Sequence, residues 1–333
     1  MYQVADYIEA TLESALAQTF DSIEYLVVDD CSQDNSLAIV KQLCESHARG
    51  NSIRVLTNLE HKGVSYTRNR IIAEAQGRYL YFLDSDDMIE QDTIQLLYHE
   101  AKCHQAEIVY GSYEIIDRVR NSPTRVFQKL SLLLVGDGKL AEYAFENSHI
   151  FHVSVCNCLI DMVFLRNCRV RFIDAMFWED MAFTYELVTK VNRAVLLPNI
   201  TYHYVCRPGS LSNYQERSQL EKDEIMRNVA VLDYLKAKCI GLTGKAYLPF
   251  LCYNLEMSSF YIVCHIIKHS SQITPVITYN EMRQMLHSPL PLHVLIRYRQ
   301  KLLANVLMLL LGHLPLPLFK PSIWLLGKMK KAI

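Results

Sequence analysis

Asp84, Asp86 and Asp87 place three carboxylates within four residues, directly after the apolar, aromatic run 79–83. The run reads as a buried strand that stops at the acids. In an open α/β sheet, ligands bind in the crevice beyond the carboxyl ends of the strands. Carboxylates this close repel one another and are costly to bury unpaired. A divalent cation removes the repulsion, and oxygen donors of this kind suit Mg²⁺ or Mn²⁺, which can in turn hold a diphosphate. A plainer reading makes Asp86 or Asp87 the N-cap of a helix over 89–103. Asp-x-Asp alone does not choose.

Other side chains offer complementary chemistry. Asp29 and Asp30 end a second apolar run, 23–28, and acids so placed can bond a base or a ribose hydroxyl. The alternative is an Asx turn before Ser32. Lys62 and Arg68 flank Gly63 and serve either as phosphate contacts or as solvated helix charges. Glu179 and Asp180 open a helix after the aromatic segment 172–178, where apolar rings raise a carboxyl pKa and suit it to general-base work. Favourable charge at a helix N-terminus explains the same pair. Arg207, with Ser210 and Ser212, has the fork that matches phosphate oxygens, or lies in an ordinary loop. His203 is a candidate third metal ligand among strand residues that more often hold a structural histidine. Trp178 fits a sugar-site wall or the core.

The elements that must position these groups alternate. Helical periodicity covers 4–18, 37–46, 66–76 (closed by Gly77) and 89–103, and β-type runs cover 23–28, 53–56, 79–83 and 107–110. That order predicts an α/β fold with a mostly parallel sheet flanked by helices, its acidic strand ends on one edge. Residues 112–149 read as a less regular connection, and 194–205 as β-type, interrupted at Pro198. Helical patterns then cover 215–238, 247–269 and the tail. The expected division is a binding and catalytic domain over 1–215 and a helical region over 216–333. No strand precedes the first helix, so the sheet is expected to be one element short.

The 333 residues carry a net charge of −1, unevenly spread. Eight Lys and Arg and no acid follow Glu281, so a basic, leucine-rich tail joins an acidic body. That pattern favours an anionic membrane surface over nucleic acid. The ten cysteines form no Cys-x-x-Cys pair and read as reduced thiols of a cytoplasmic protein. The N-terminal residues show no signal-peptide pattern. The longest apolar stretch, 302–319, is broken by Gly312, Pro315 and Pro317 and makes a poor spanning helix.

Four stretches, 24–36 (EYLVVDDCSQDNS), 63–69 (GVSYTRN), 81–87 (YFLDSDD) and 178–183 (WEDMAF), resemble the family 2 glycosyltransferases in order and spacing. The resemblance runs from residue 1 to about 215. It implies a GT-A type, Rossmann-like nucleotide-diphospho-sugar fold and an inverting single displacement. It implies a nucleobase contact for Asp30 with Asp29 beside it, and metal binding by Asp84 and Asp86, with Asp87 in support. Asp180 matches the base, with Glu179 as its neighbour, and Arg207 and Ser210 match a loop near the diphosphate. Members usually begin with an apolar strand ending Pro-x-Tyr-Asn. Tyr2 and Gln3 stand at its last two positions, and Cys31 stands where glycine is usual.

The expected enzyme moves a sugar from a nucleotide-diphospho-sugar, a UDP-sugar, to a hydroxyl acceptor in surface polysaccharide or lipid-linked glycan synthesis. It would work with Mn²⁺ or Mg²⁺ at the cytoplasmic face of a bacterial membrane, as a peripheral protein. Two alternatives are a degenerate, non-catalytic scaffold and a phosphatase using Asp84 as nucleophile. No downstream Lys and Asp-Asp pair supports the second.

Overall fold

A computed structural model describes residues 1–117, 122–148, 151, 154–175, 178–207 and 220–330. The chain divides into two compact units. The first comprises Met1–Leu140, His149–Asp174 and Leu187–Ser210, and the second Ala141–Ser148, Ala175–Glu186 and Leu211–Ile333. The division near 210 lies close to the boundary expected at 215. Residues 141–148 and 175–186, however, cluster with the C-terminal helices.

In chain order the first half runs α1 (Ile8–Leu16), β1 (Tyr25–Asp29), α2 (Ser36–Ser46), β2 (Ile53–Thr57), α3 (Val64–Glu74), β3 (Tyr79–Tyr81), β4 (Met88–Ile89), α4 (Thr93–His104) and β5 (Ile108–Asp117). There follow β6 (Arg125–Phe127), β7 (Leu132–Val135), α5 (Lys139–Glu146), β8 (Cys158–Asp161), α6 (Met162–Cys168), α7 (Glu179–Val188) and β9 (Arg193–Cys206). The last stretch holds β10 (Leu220–Glu221), α8 (Lys222–Cys239), α9 (Leu248–Lys268), β11 (Ile273–Thr274), α10 (Tyr279–Met285), α11 (Leu292–Leu295), α12 (Leu302–Leu311) and α13 (Leu316–Met329).

The α/β class is as the alternation implies, while the larger sheet, expected to be mostly parallel, is mixed, with β5–β9 its one parallel ladder among the described residues. Pairing is parallel between β1 and β2 and between β5 and β9, and antiparallel at β3–β8, β8–β5 and β9–β4. Helical stripes close the layers. Val4, Ile8 and Leu12 pack on Val40 and Leu43, and Leu97 and Ala101 of α4 pack on Val109, Leu159 and Val195. Each such buried side chain is worth roughly 1.5–3 kcal/mol.

Three expected boundaries move. The first helix starts at Ile8, and the nitrogens of Val4 and Ala5 before it donate to Ser36 Oγ and Asp34 Oδ2, both at 2.9 Å. The helix expected over 89–103 begins only at Thr93, because Met88 and Ile89 pair with His203 and Tyr202 of β9. The C-cap of α3 is Ala75, not Gly77. Residues 112–149 are also more regular than their composition suggests. β5 runs on to Asp117 because β9 pairs with it along nearly its whole length, and β6 and β7 add to the same sheet. At the register shift beside Tyr110 and Ser112, a Cβ on Gly111 would lie 1.8 Å from Thr201 Oγ1, so only glycine admits this approach.

β1 and β2 form a two-stranded ladder of their own, and β3 ends the seven-stranded one. Met1 bonds to the end of β1: its nitrogen donates to Val28 O at 2.6 Å, and Asp30 N donates to Met1 O at 2.9 Å.

In the second unit α9 is the core helix, contacting α8, α10, α12 and α13. It is the one helix among the described residues long and apolar enough to cross a membrane, and half of that stretch is buried inside the unit. The stretch 302–319 is interrupted between α12 and α13, as its Gly and Pro imply. Glu256 of α9 is buried, with Oε1 accepting from Ser288 Oγ at 2.8 Å and Oε2 without a hydrogen-bond partner. Burial pushes its pKa up to about 8. A raised carboxyl stabilises the fold fully below its ordinary pKa and loses that contribution as pH climbs through the raised value. Glu256→Gln, which mimics the protonated side chain, should therefore match the parent near pH 5. Toward pH 8.5 it should exceed the parent by roughly 1–3 kcal/mol, read by urea unfolding at both pH values.

Candidate active site

The acids after β1 and β3 meet around the start of α3. Gly63, the N-cap of α3, has φ +86°, a left-handed conformation that glycine adopts at no steric cost. Asp30 is buried, and its carboxylate gathers the loop before α3. Oδ1 accepts from Asn58 Nδ2 at 2.6 Å and Lys62 N at 2.9 Å. Oδ2 accepts from Gly63 N at 2.8 Å and faces His61 Nδ1 at 2.9 Å. Asp29 accepts from Ser32 N at 3.3 Å, three residues on, whereas the Asx turn expected as the alternative bonds two residues on. Between them and Ser32, Cys31 has φ +65°, which explains the usual glycine there and costs a β-carbon about 1 kcal/mol.

Arg68 reaches from α3 to Asp84, its Nη2 donating to Oδ1 at 2.8 Å, and stacks over the Phe172 ring at 5.4 Å. Burial drives the Asp84 carboxyl up, but the charge and hydrogen bond of Arg68 outweigh it and hold the pKa below the ordinary value. The side chain is still 41% exposed, so it can meet a ligand. Asp86 accepts from Arg207 Nε at 2.5 Å, and the Arg207 guanidinium lies 4.9 Å from the Tyr7 ring centre. Burial raises the Asp86 pKa, opposed by Arg207 and assisted by Asp84. Asp29, Asp30, Asp84 and Arg68 all act electrostatically on the buried Met1 nitrogen. The acids of two separate strand ends therefore share one field.

Asp87 points elsewhere. Its Oδ2 accepts from Tyr202 Oη at 2.6 Å and its Oδ1 from Val205 N at 2.7 Å, both on β9. Burial and the Asp84 charge push its pKa up to about 8. Asp87 fastens the acidic turn to the sheet. Neither it nor Asp86 caps α4, whose N-cap is Asp92. His203 gives Nδ1 to Glu114 at 2.8 Å and Nε2 to Glu90 at 3.0 Å, so both ring nitrogens are engaged by glutamates.

Among the described residues no group of three or more His, Cys, Asp or Glu side chains is gathered to hold a metal. Mg²⁺ commonly needs only one or two carboxylates, the rest of its shell coming from substrate phosphates and water. Asp84 and Asp86, on one turn with oxygen donors, fit a site of that kind.

Asp180 and Glu179 head α7, whose other residues run to Val188. Met181 N donates to Asp180 Oδ1 at 2.7 Å, Glu179 is buried, and Trp178 just before them has φ +61°. Ser210 and Ser212 lie outside the described residues. Sequence reasoning passed over Asn58, His61, Tyr7 and Tyr202, which act only through partners distant in the chain.

The sequence profile described as Glycosyl transferase family 2 matches residues 1–168. The chain belongs to that family. Among relatives of this family 2 chain is the succinoglycan biosynthesis protein ExoO of Rhizobium meliloti, 29% identical over 217 residues. That match covers 63% of this chain and 60% of ExoO. The UDP-Glc:alpha-D-GlcNAc-diphosphoundecaprenol beta-1,3-glucosyltransferase WfaP of Escherichia coli is 25% identical, across 72% of this chain and 88% of WfaP. The crystal structure of S. aureus TarS 1-349 in complex with UDP-GlcNAc superposes with a TM-score of 0.65 at 19% identity. It covers 94% of this chain and 87% of TarS 1-349 and shows the shared fold.

The cradle around Asp30 separates a structural role from a ligand contact. Asp30→Asn turns one acceptor into a donor that faces main-chain N–H groups. It should cost roughly 1–3 kcal/mol of stability with no nucleotide present, measured by denaturant unfolding. An unchanged midpoint would mean that the loop does not depend on this carboxylate.

Proposed function

We propose that this family 2 member transfers a sugar from a nucleotide-diphospho-sugar, a UDP-sugar, to a hydroxyl acceptor with inversion. The acceptor belongs to a surface polysaccharide or a lipid-linked glycan. The observation that carries the reading is the pairing of Arg68 with Asp84 and of Arg207 with Asp86 beside the buried Asp29–Asp30 strand end. The UDP-GlcNAc complex of TarS and the name of WfaP support a UDP donor. Nothing favours the scaffold or the phosphatase.

In this mechanism Asp29 and Asp30 order the loop against which the nucleoside lies. Arg68 and Arg207 bring positive charge to the diphosphate end, where fork-shaped donors match phosphate oxygens. Asp84 and Asp86 would hold Mn²⁺ or Mg²⁺, and a bound cation would neutralise charge on the leaving diphosphate. Asp180, fixed by the Met181 N–H, takes the proton of the acceptor hydroxyl as its oxygen attacks the anomeric carbon. The bond to the diphosphate breaks, and its electron pair leaves with the nucleotide. Glu179 supports the start of α7. The basic tail after Glu281 supports a peripheral place at the cytoplasmic face of a bacterial membrane, against anionic lipid.

Two variants separate binding from chemistry. Asp180→Asn should lower turnover by about 100-fold or more with UDP affinity unchanged by calorimetry. Asp86→Ala should weaken UDP binding in Mn²⁺ while leaving metal-free binding alone. Near-normal transfer by Asp180→Asn would remove the base assignment.

A further inference from the structure

Helices α12 and α13 each bury one face and leave an apolar face outside. Met308, Leu311, Phe319 and Ile323 are buried in the unit. Opposite them Leu303, Leu307 and Leu310 recur at steps of four and three, and stand 84%, 45% and 54% exposed. On α13, Leu318, Leu325 and Met329 recur at steps of seven and four and are 55%, 58% and 73% exposed. Those spacings put each trio on one side of its helix. Soluble surfaces rarely leave so many large apolar side chains on neighbouring elements without an interaction to cover them.

What borders the face says what covers it. Lys320 and Lys328 sit on α13 itself, and no acid follows Glu281 in the chain. The Lys328 ammonium lies 3.7 Å from the centre of the half-exposed Trp324 ring. An apolar stripe on a helix that also carries exposed lysines and a half-exposed tryptophan, with no acid, matches a helix lying at the lipid headgroup level. Lysine side chains at such a face can lay their stems on apolar surface and extend their charges to the headgroups. Helices of 10 and 14 residues are too short to span a bilayer, which needs about 20.

We propose that the outward face of α12 and α13 docks in the plane of an anionic lipid bilayer. The proposal rests on the reading that the acceptor is made at a membrane, and it names the surface that meets the lipid. Vesicle co-sedimentation of the full chain tests it, with phosphatidylcholine alone against phosphatidylcholine containing phosphatidylglycerol. A Trp178→Phe background leaves Trp324 as the sole tryptophan reporter. The expected result is binding at least about tenfold stronger to the anionic vesicles, with a blue shift of Trp324 emission. Leu303→Glu with Leu325→Glu should weaken binding about tenfold or more with an unchanged circular dichroism spectrum. Lys320→Gln and Lys328→Gln should each weaken it by about fivefold at low salt. Equal binding to both vesicles, or an unshifted Trp324 on vesicle binding, would overturn the proposal. So would a blue shift that grows with protein concentration in the absence of lipid, since the face would then take a second copy. UDP calorimetry on the same proteins keeps the readings apart: lost vesicle binding with intact UDP binding removes only the docking face, and absent UDP binding in the parent removes the transferase reading.

Discussion

Like charges gathered at strand ends need opposite charge supplied to them, and the first unit is arranged to supply it. Asp84 and Asp86 stand two residues apart, and each has its own arginine, drawn from a different part of the chain. Arg68 arrives on α3 and Arg207 at the end of β9. Without them burial and mutual repulsion would push the pKa values of both acids up, as burial and the Asp84 charge push that of Asp87. The path of α3 and the length of β9 thus follow from an electrostatic requirement.

β9 meets that requirement twice. Its Tyr202 hydroxyl and Val205 N–H take both oxygens of Asp87, and its far end carries Arg207. The parallel pairing with β5 holds this strand in register, and Gly111 lets the two approach where the register slips. Asn157 fills the same place with side-chain bonds to Gly111 O and Ser112 O, both at 2.9 Å. The acidic turn is positioned from the sheet as well as from the helix.

Much of this was legible in the residues. The α/β alternation, the family, the acids at the strand ends and the break in the tail after α12 all come from local pattern, and local pattern survives folding. The side-chain bond from Asp29 to the turn after it is also local, since its partner Ser32 is only three positions on. Helix 89–103 failed because β4 is a two-residue strand made by its partner, and a partner more than a hundred residues away leaves no periodicity. Within 112–149 the short strands β6 and β7 are likewise made by pairing, with β5 and β9, rather than by their own pattern. Asp87 looked like its neighbours in sequence, and only the hydroxyl of Tyr202 sets it apart. Asn58 and His61 carry no signal until Asp30 is seen between them.

β1 and β3 lie on different ladders, so among the described residues no common row of main-chain hydrogen bonds sets the spacing from Asp30 to Asp84. The gauge between them is α3, anchored at Gly63 by one acid and at Arg68 by the other. Those five steps amount to about one and a half helical turns, near 7.5 Å of rise. A helical strut bends and frays at its first turn more readily than a sheet shears. The separation of the two acids accordingly follows the geometry of one short helix.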